Sequence, residues 1–125
     1  MEGLLDFVLR DVLENARTLD EGVGIIRRAH RTSSYLYCVG DGKLPAARAL
    51  RTARDFCEVY SPTDYPGQRL DNVVYWSMGC EADKQWNHRV HDVLQAHWGQ
   101  IDHRTGTRDV MRELGTGDLH AIAYD

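Results

Sequence analysis

Residues 34–40 read SYLYCVG, and with them the spacing of apolar residues changes from a helical period to an alternating one. Three more runs of the same kind come after it: ARALRT at 47–52, FCEVYS at 56–61 and NVVYWS at 72–77. They are separated by Asp41-Gly42-Lys43, by Ala53-Arg54-Asp55, and by the Pro-bounded stretch SPTDYPGQRLD at 61–71. β-branched and aromatic residues between such short breaks predict an antiparallel meander of four strands. Asp41-Gly42-Lys43 reads as a turn, because Asp can bond the backbone two residues on and Gly tolerates the left-handed region. A role for Lys43 toward a substrate is the alternative.

Helical spacing lies on both sides of the meander. Upstream, Leu5, Val8, Leu9, Val12 and Ala16 make an apolar stripe, which Leu4, Phe7 and Leu13 widen into a broad buried face. Thr18-Leu19-Asp20-Glu21 has the form of a capping box, with the Thr18 hydroxyl on the Glu21 amide and the carboxylate reaching back. A second helix comes next, with Val23, Ile26 and Ala29 inward. Gly22 and Gly24 inside it should each cost about 1 kcal/mol relative to Ala, so either another backbone packs closely there or the helix is weak. Downstream, helix returns at Asp83, with Trp86, Val90, Val93, Leu94 and His97 on one stripe, and stops at Gly99. A shorter helix is predicted over Arg104 to Leu114. The chain closes on LHAIAY at 119–124, apolar on both faces as a strand covered on both sides would be. The fold class is α+β, an antiparallel meander with helix pairs on one face, in a single domain of 125 residues.

The net charge is −4, and the 15 Lys and Arg residues are scattered along the sequence, which argues against nucleic-acid or membrane-surface binding. No apolar run reaches transmembrane length, and the acids in MEGLLDFVLRD are unlike a signal peptide. Three widely spaced cysteines do not make a disulfide framework. A cytoplasmic location is therefore the expectation.

Few residues combine into a chemical site. His88 and His91 could share a helix face, but no carboxylate or thiol completes a ligand set at helical spacing. They read as two solvated histidines beside a core histidine, His97, and no metal or cofactor is expected. Cys38 and Cys57 read as buried structural thiols. Gly79-Cys80 comes after the fourth strand and reads as a loop thiol. Cys80 is also the one catalytic candidate in the chain, since cleavage before it would free an α-amine as its base. Tyr35, Tyr37, Tyr75 and Trp76 supply aromatic bulk as core or pocket wall.

Read in order, LDFVLRDVLENARTLDEGVGIIRRAHRTSSYLYCVGDGK, then NVVYWSMGCEADKQWNHRVHDVLQAHWGQID and the late LHAIAYD resemble the penicillin acyltransferase-like family of N-terminal nucleophile hydrolases (acyl-coenzyme A:6-aminopenicillanic acid acyltransferase and its bacterial relatives). The resemblance spans nearly the whole chain. It implies a four-layer αββα sandwich, and an enzyme in which an N-terminal Cys freed by self-cleavage attacks an amide or thioester while an Asn helps hold the oxyanion. The segment that begins with that Cys is not matched here: the chain opens Met1-Glu2. The oxyanion Asn is expected just after Tyr75-Trp76, where Ser77-Met78-Gly79 stand. The family usually has Ala near Gly22.

The resemblance implies a fragment or subunit of an acyltransferase or amidohydrolase. It would shape an acyl or amide pocket with Tyr35, Tyr37, Tyr75, Trp76 and Ser77, and would be inactive alone. The alternative is a non-catalytic remnant acting as a binding or assembly module. Either way the inner face of the meander needs a cover, from a second copy or from a second polypeptide completing the sandwich, with Leu119–Tyr124 as a pairing edge.

Overall fold

The structure is a computed structural model and describes residues 3–64, 70, 71, 73, 75 and 84–115. The chain divides into two compact units, Met1–Trp76 and Ser77–Asp125.

The first unit is α+β. Helix α1 (Gly3–Asn15) leads through a short connection to α2 (Leu19–Arg28), and three strands come next, β1 (Tyr35–Asp41), β2 (Ala46–Thr52) and β3 (Cys57–Tyr60). The strands form an antiparallel meander in the order β1-β2-β3. Within the fourth apolar run Val73 makes a local bridge to Leu70; Asn72, Val74, Trp76 and Ser77 lie outside the described residues, as does the closing run Leu119–Tyr124.

The start of α2 forms as its sequence predicts. Thr18 is extended and its Oγ1 accepts the Glu21 amide at 3.2 Å. The Glu21 carboxylate reaches one residue further back than a standard box, taking the Arg17 amide at 2.7 Å. The β1–β2 turn also agrees with prediction, with Asp41 Oδ1 accepting the Lys43 amide at 3.0 Å.

Alternation along the strands decides which residues enter the core. Tyr37 of β1 stands opposite Leu50 of β2, which stands opposite Val59 of β3. Tyr37 and Leu50 join Leu19, Val23 and Ile26 of α2 in one buried cluster, with Tyr35, Val39, Ala46, Cys57 and Val59 around it. Ile26 and Leu50 are fully buried, each worth about 1.5–3 kcal/mol in transfer free energy. Thr52, also buried, donates its hydroxyl to the Tyr35 carbonyl at 3.0 Å. Thus α2 lies on one face of the sheet, and α1 packs against α2.

Over its described side chains, which leave out Leu4 and Leu5, α1 does not show the broad buried face expected of it. Val8 and Val12 pack toward the core, whereas Phe7 and Leu13 are 69% and 73% exposed and Leu9 is also exposed. Among the described elements α1 packs chiefly on α2, which covers one stripe of it. Close approach explains Gly22: a Cβ there would lie 3.3 Å from the Val12 side chain, 3.5 Å from Val39 and 3.6 Å from Ala16. Side chains, not a backbone, demand the small residue. At Gly24 the nearest obstacle to a Cβ is the flexible end of Arg28, at 3.1 Å.

The second unit is helical where it is described. Helix α3 (Lys84–Ala96) is followed by a turn at Gly99, whose φ is +79°. A helical stretch from His103 passes through a π turn (Thr105–Val110) into α4 (Met111–Leu114) and ends at Gly115 with φ +61°. The predicted end at Leu114 agrees with this, whereas α3 stops at Ala96, three residues before the predicted Gly99. Asp102 caps the stretch, its Oδ1 accepting the amides of Arg104 and Thr105 at 2.9 and 2.7 Å. Val90, Val110 and Leu114 are its buried apolar side chains among the described residues.

Replacing Gly24 by Ala is expected to raise stability by about 0.5–1 kcal/mol in urea unfolding, because helix propensity improves and only Arg28 has to move. Gly22→Ala should gain less or lose, since Val12 must give way. The bonds from Thr105 and Arg104 hold the Asp102 carboxyl below the usual carboxylate range. A depressed pKa stabilises the fold above the unfolded value of about 4 and ceases to do so as pH falls through the folded value. Asp102→Asn keeps an acceptor for the cap but does not titrate, so its melting temperature should fall less than that of the wild type between about pH 5 and pH 2.

Candidate functional site

The sheet has two chemically different faces. Opposite the α2 side, register places Leu36, Arg51 and Glu58 in one cross-strand row, Cys38, Ala49 and Tyr60 in the next, and Gly40 beside Ala47. Ala49 is fully buried, whereas Leu36, Cys38, Gly40, Arg51 and Glu58 are exposed. Small residues at Cys38, Gly40, Ala47 and Ala49 keep this face low.

One polar network occupies it. The Glu58 carboxylate takes the Arg51 guanidinium at 3.1 Å and the Tyr60 hydroxyl at 2.8 Å. The Arg51 guanidinium lies 5.4 Å from the ring centre of Phe56. Burial, and then the bond to Glu58, push the Tyr60 hydroxyl above its ordinary pKa. Tyr60 is therefore a protonated donor at neutral pH, and Glu58 is an acceptor already engaged by two donors.

Tyr35 and Tyr37 come together on the other face. Their ring centres are 6.2 Å apart with planes at 53°, and Tyr37 is only 6% exposed. Burial raises the Tyr37 hydroxyl pKa, against the opposing charge of Arg31. Tyr75 is half-buried. Trp76, Ser77 and Cys80 lie outside the described residues.

Two expectations from sequence are corrected. Cys38 is exposed, because it alternates with Tyr37 and so faces away from the helices; Cys57 is half-buried on the core side. His97 is not a core residue: α3 ends at Ala96, and from the turn beyond it the ring reaches Glu113, Nε2 to Oε1, at 3.0 Å. Lys43 donates Nζ to the Arg17 carbonyl at 2.9 Å, tying the β1–β2 turn to the α1–α2 connection. His88 is exposed and His91 contacts Asp92 at 3.1 Å. Among the described residues no group of three His, Cys, Asp or Glu side chains comes close enough to hold a metal ion. No described helix is long and apolar enough to cross a membrane.

The residue that sequence reading missed is Arg31. It is 8% exposed, and the acceptors described for it are all main-chain carbonyls. Nη1 donates to Ile26 at 2.6 Å and more weakly to Ala29 and Arg27 at 3.2 and 3.4 Å. Nε donates to Ala53 at 2.9 Å and Nη2 to Phe56 at 3.3 Å. One guanidinium thus satisfies the carbonyl end of α2 and holds the β2–β3 turn. A basic residue just past a helix end is the available signal, although Arg27 and Arg28 carry it equally well.

With this geometry in view, comparison finds two curated relatives in Dictyostelium discoideum. Protein dcd1A is 27% identical over 129 aligned positions, and protein dcd1B is 26% identical over 128. Each match covers 95% of this chain but only 28% and 25% of the relative. The chain therefore spans about a quarter of the length of the proteins it matches. No family model and no solved structure matches it.

Arg31→Met should destabilise the first unit by about 3 kcal/mol in denaturant titration, since buried carbonyls lose charge-assisted bonds at both ends of the clamp. Arg31→Lys should recover only part of this, because a single ammonium cannot span both carbonyl groups as the planar fork does.

Proposed function

We propose that this chain is the pocket-shaping part of an acyltransferase or amidohydrolase of the N-terminal nucleophile class, and that it is inactive without a polypeptide that supplies the reactive cysteine. The observation that carries this reading is the meander itself. Its helix-covered face is a closed core, and its other face carries small side chains at Cys38, Gly40, Ala47 and Ala49, with Ala49 already buried and Cys38 and Gly40 exposed, the low relief that an apposed sheet of a layered sandwich needs. The order of helix pair, Tyr-rich strand and D-G-K turn supports the resemblance. The short share of each relative that the chain matches supports its being one portion of a larger arrangement.

On this reading the second sheet comes from a second copy or another polypeptide, and the substrate is a small amide or thioester. Glu58, Arg51 and Tyr60 then recognise that partner at the rim of the face. The second reading, a non-catalytic binding or assembly module, is favoured by the burial of Tyr37, which serves the core.

The test uses the purified chain alone. Intact mass spectrometry should give one unbroken species, and a screen of chromogenic amides and acyl thioesters should give no turnover. Sedimentation at micromolar concentration should show a dimer or larger species. A compact monomer would count against the missing-layer reading, and turnover by the lone chain would overturn the assignment of the nucleophile to another polypeptide.

A further inference from the structure

The last described helix departs from α geometry for one turn. The Gly106 amide donates to the Asp102 carbonyl at 2.8 Å, a four-residue spacing, but the Met111 amide donates to the Gly106 carbonyl, a five-residue spacing. At the end the Gly115 amide returns to the Met111 carbonyl at 3.0 Å, four residues back. The π turn (Thr105–Val110) thus stores one extra residue between two α-helical flanks.

That extra residue sets the phase of everything after it. Val110 and Leu114 are buried, Glu113 Oε1 meets His97 Nε2 at 3.0 Å, and Arg89 Nη2 donates to the Glu113 carbonyl at 2.6 Å. If the π turn relaxed to α with its cap held at Asp102, each later position in space would pass to the preceding residue. Asp109 and Glu113 would then enter the apolar seats of Val110 and Leu114, and Arg112 would replace Glu113 beside His97. Burying two carboxylates is costly, so packing and the two polar latches hold the π register against the local preference for α.

We infer that the Thr105–Val110 turn is a register device. The helix has two discrete registers one residue apart; packing against α3 selects the π form, and the α form would release Val110 and Leu114 from their seats. Local chemistry is consistent with a stored residue here. Gly106 weakens the α alternative, and Thr107 donates its hydroxyl to the His103 carbonyl at 2.7 Å, a back-bond of the kind that bends helices.

Two variants of the full chain test this. Deleting Gly106 removes the stored residue while keeping the downstream phase, so the variant should retain the Glu113 latch and melt about 4 °C higher. Deleting Arg112, outside the turn, should lower the melting temperature. In the second variant, Asp109→Leu, Val110→Asp, Glu113→Leu and Leu114→Glu move the apolar pair back by one position. It should adopt the α register, seen by solution NMR as the Met111 amide bonding the Thr107 carbonyl in place of Gly106. A lower melting temperature on deleting Gly106 overturns the inference, whether or not the four-residue swap folds. A folded swap variant that keeps the Met111-to-Gly106 bond also overturns it.

Discussion

Arg31, the one buried cation among the described residues, joins the helical and sheet layers of the first unit. It donates at once to the last carbonyls of α2 and to those of Ala53 and Phe56, so one side chain ties the helix end to the β2–β3 turn. A guanidinium suits this place because its donors lie in one plane and point in several directions. Its charge also meets the negative end of the α2 dipole. Tyr37 lies close enough for that charge to oppose the effect of burial on its hydroxyl, so the clamp and the aromatic core form one neighbourhood.

From this joint the two faces of the sheet take different roles. The covered face carries Tyr37, Leu50 and Val59 against α2 and is spent on stability. The other carries Cys38, Gly40, Ala47 and Ala49, too small to build a core of their own, beside a polar network of Arg51, Glu58 and Tyr60. A surface that is low in the middle and polar at the rim suits an apposed layer. This is why the proposed function assigns the chain a supporting part in an active site and gives the reactive group to another polypeptide. The second unit obeys a similar logic on a smaller scale, where two apolar side chains and one carboxylate impose a helical register that backbone preference alone would not choose.

Much of the local structure was legible in the residues. The Thr18 cap, the Asp41 turn, the end at Leu114, and three strands of the meander all rest on neighbours within a few positions. The misreadings share a physical origin. Phe7, Leu9 and Leu13 looked inward because apolar spacing says which residues can be buried, not whether a second neighbour exists to bury them. Cys38 looked structural because a thiol in an apolar run is usually inside, and only the pairing of Tyr37 with Leu50 shows which way the alternation points. Arg31 escaped notice because its acceptors are main-chain carbonyls, which every residue has.

The sequence by itself determined the Thr18 cap, the Asp41 turn and the order of the first two helices and three strands, since caps, turns and periodicity act through bonds spanning two to five residues. Only tertiary structure decided which face of the sheet is core, which of several arginines becomes the clamp, and why a helix takes an extra residue into one of its turns. Those outcomes depend on contacts between segments far apart in the chain, where a partner's position, and not a residue's own preference, sets the free energy.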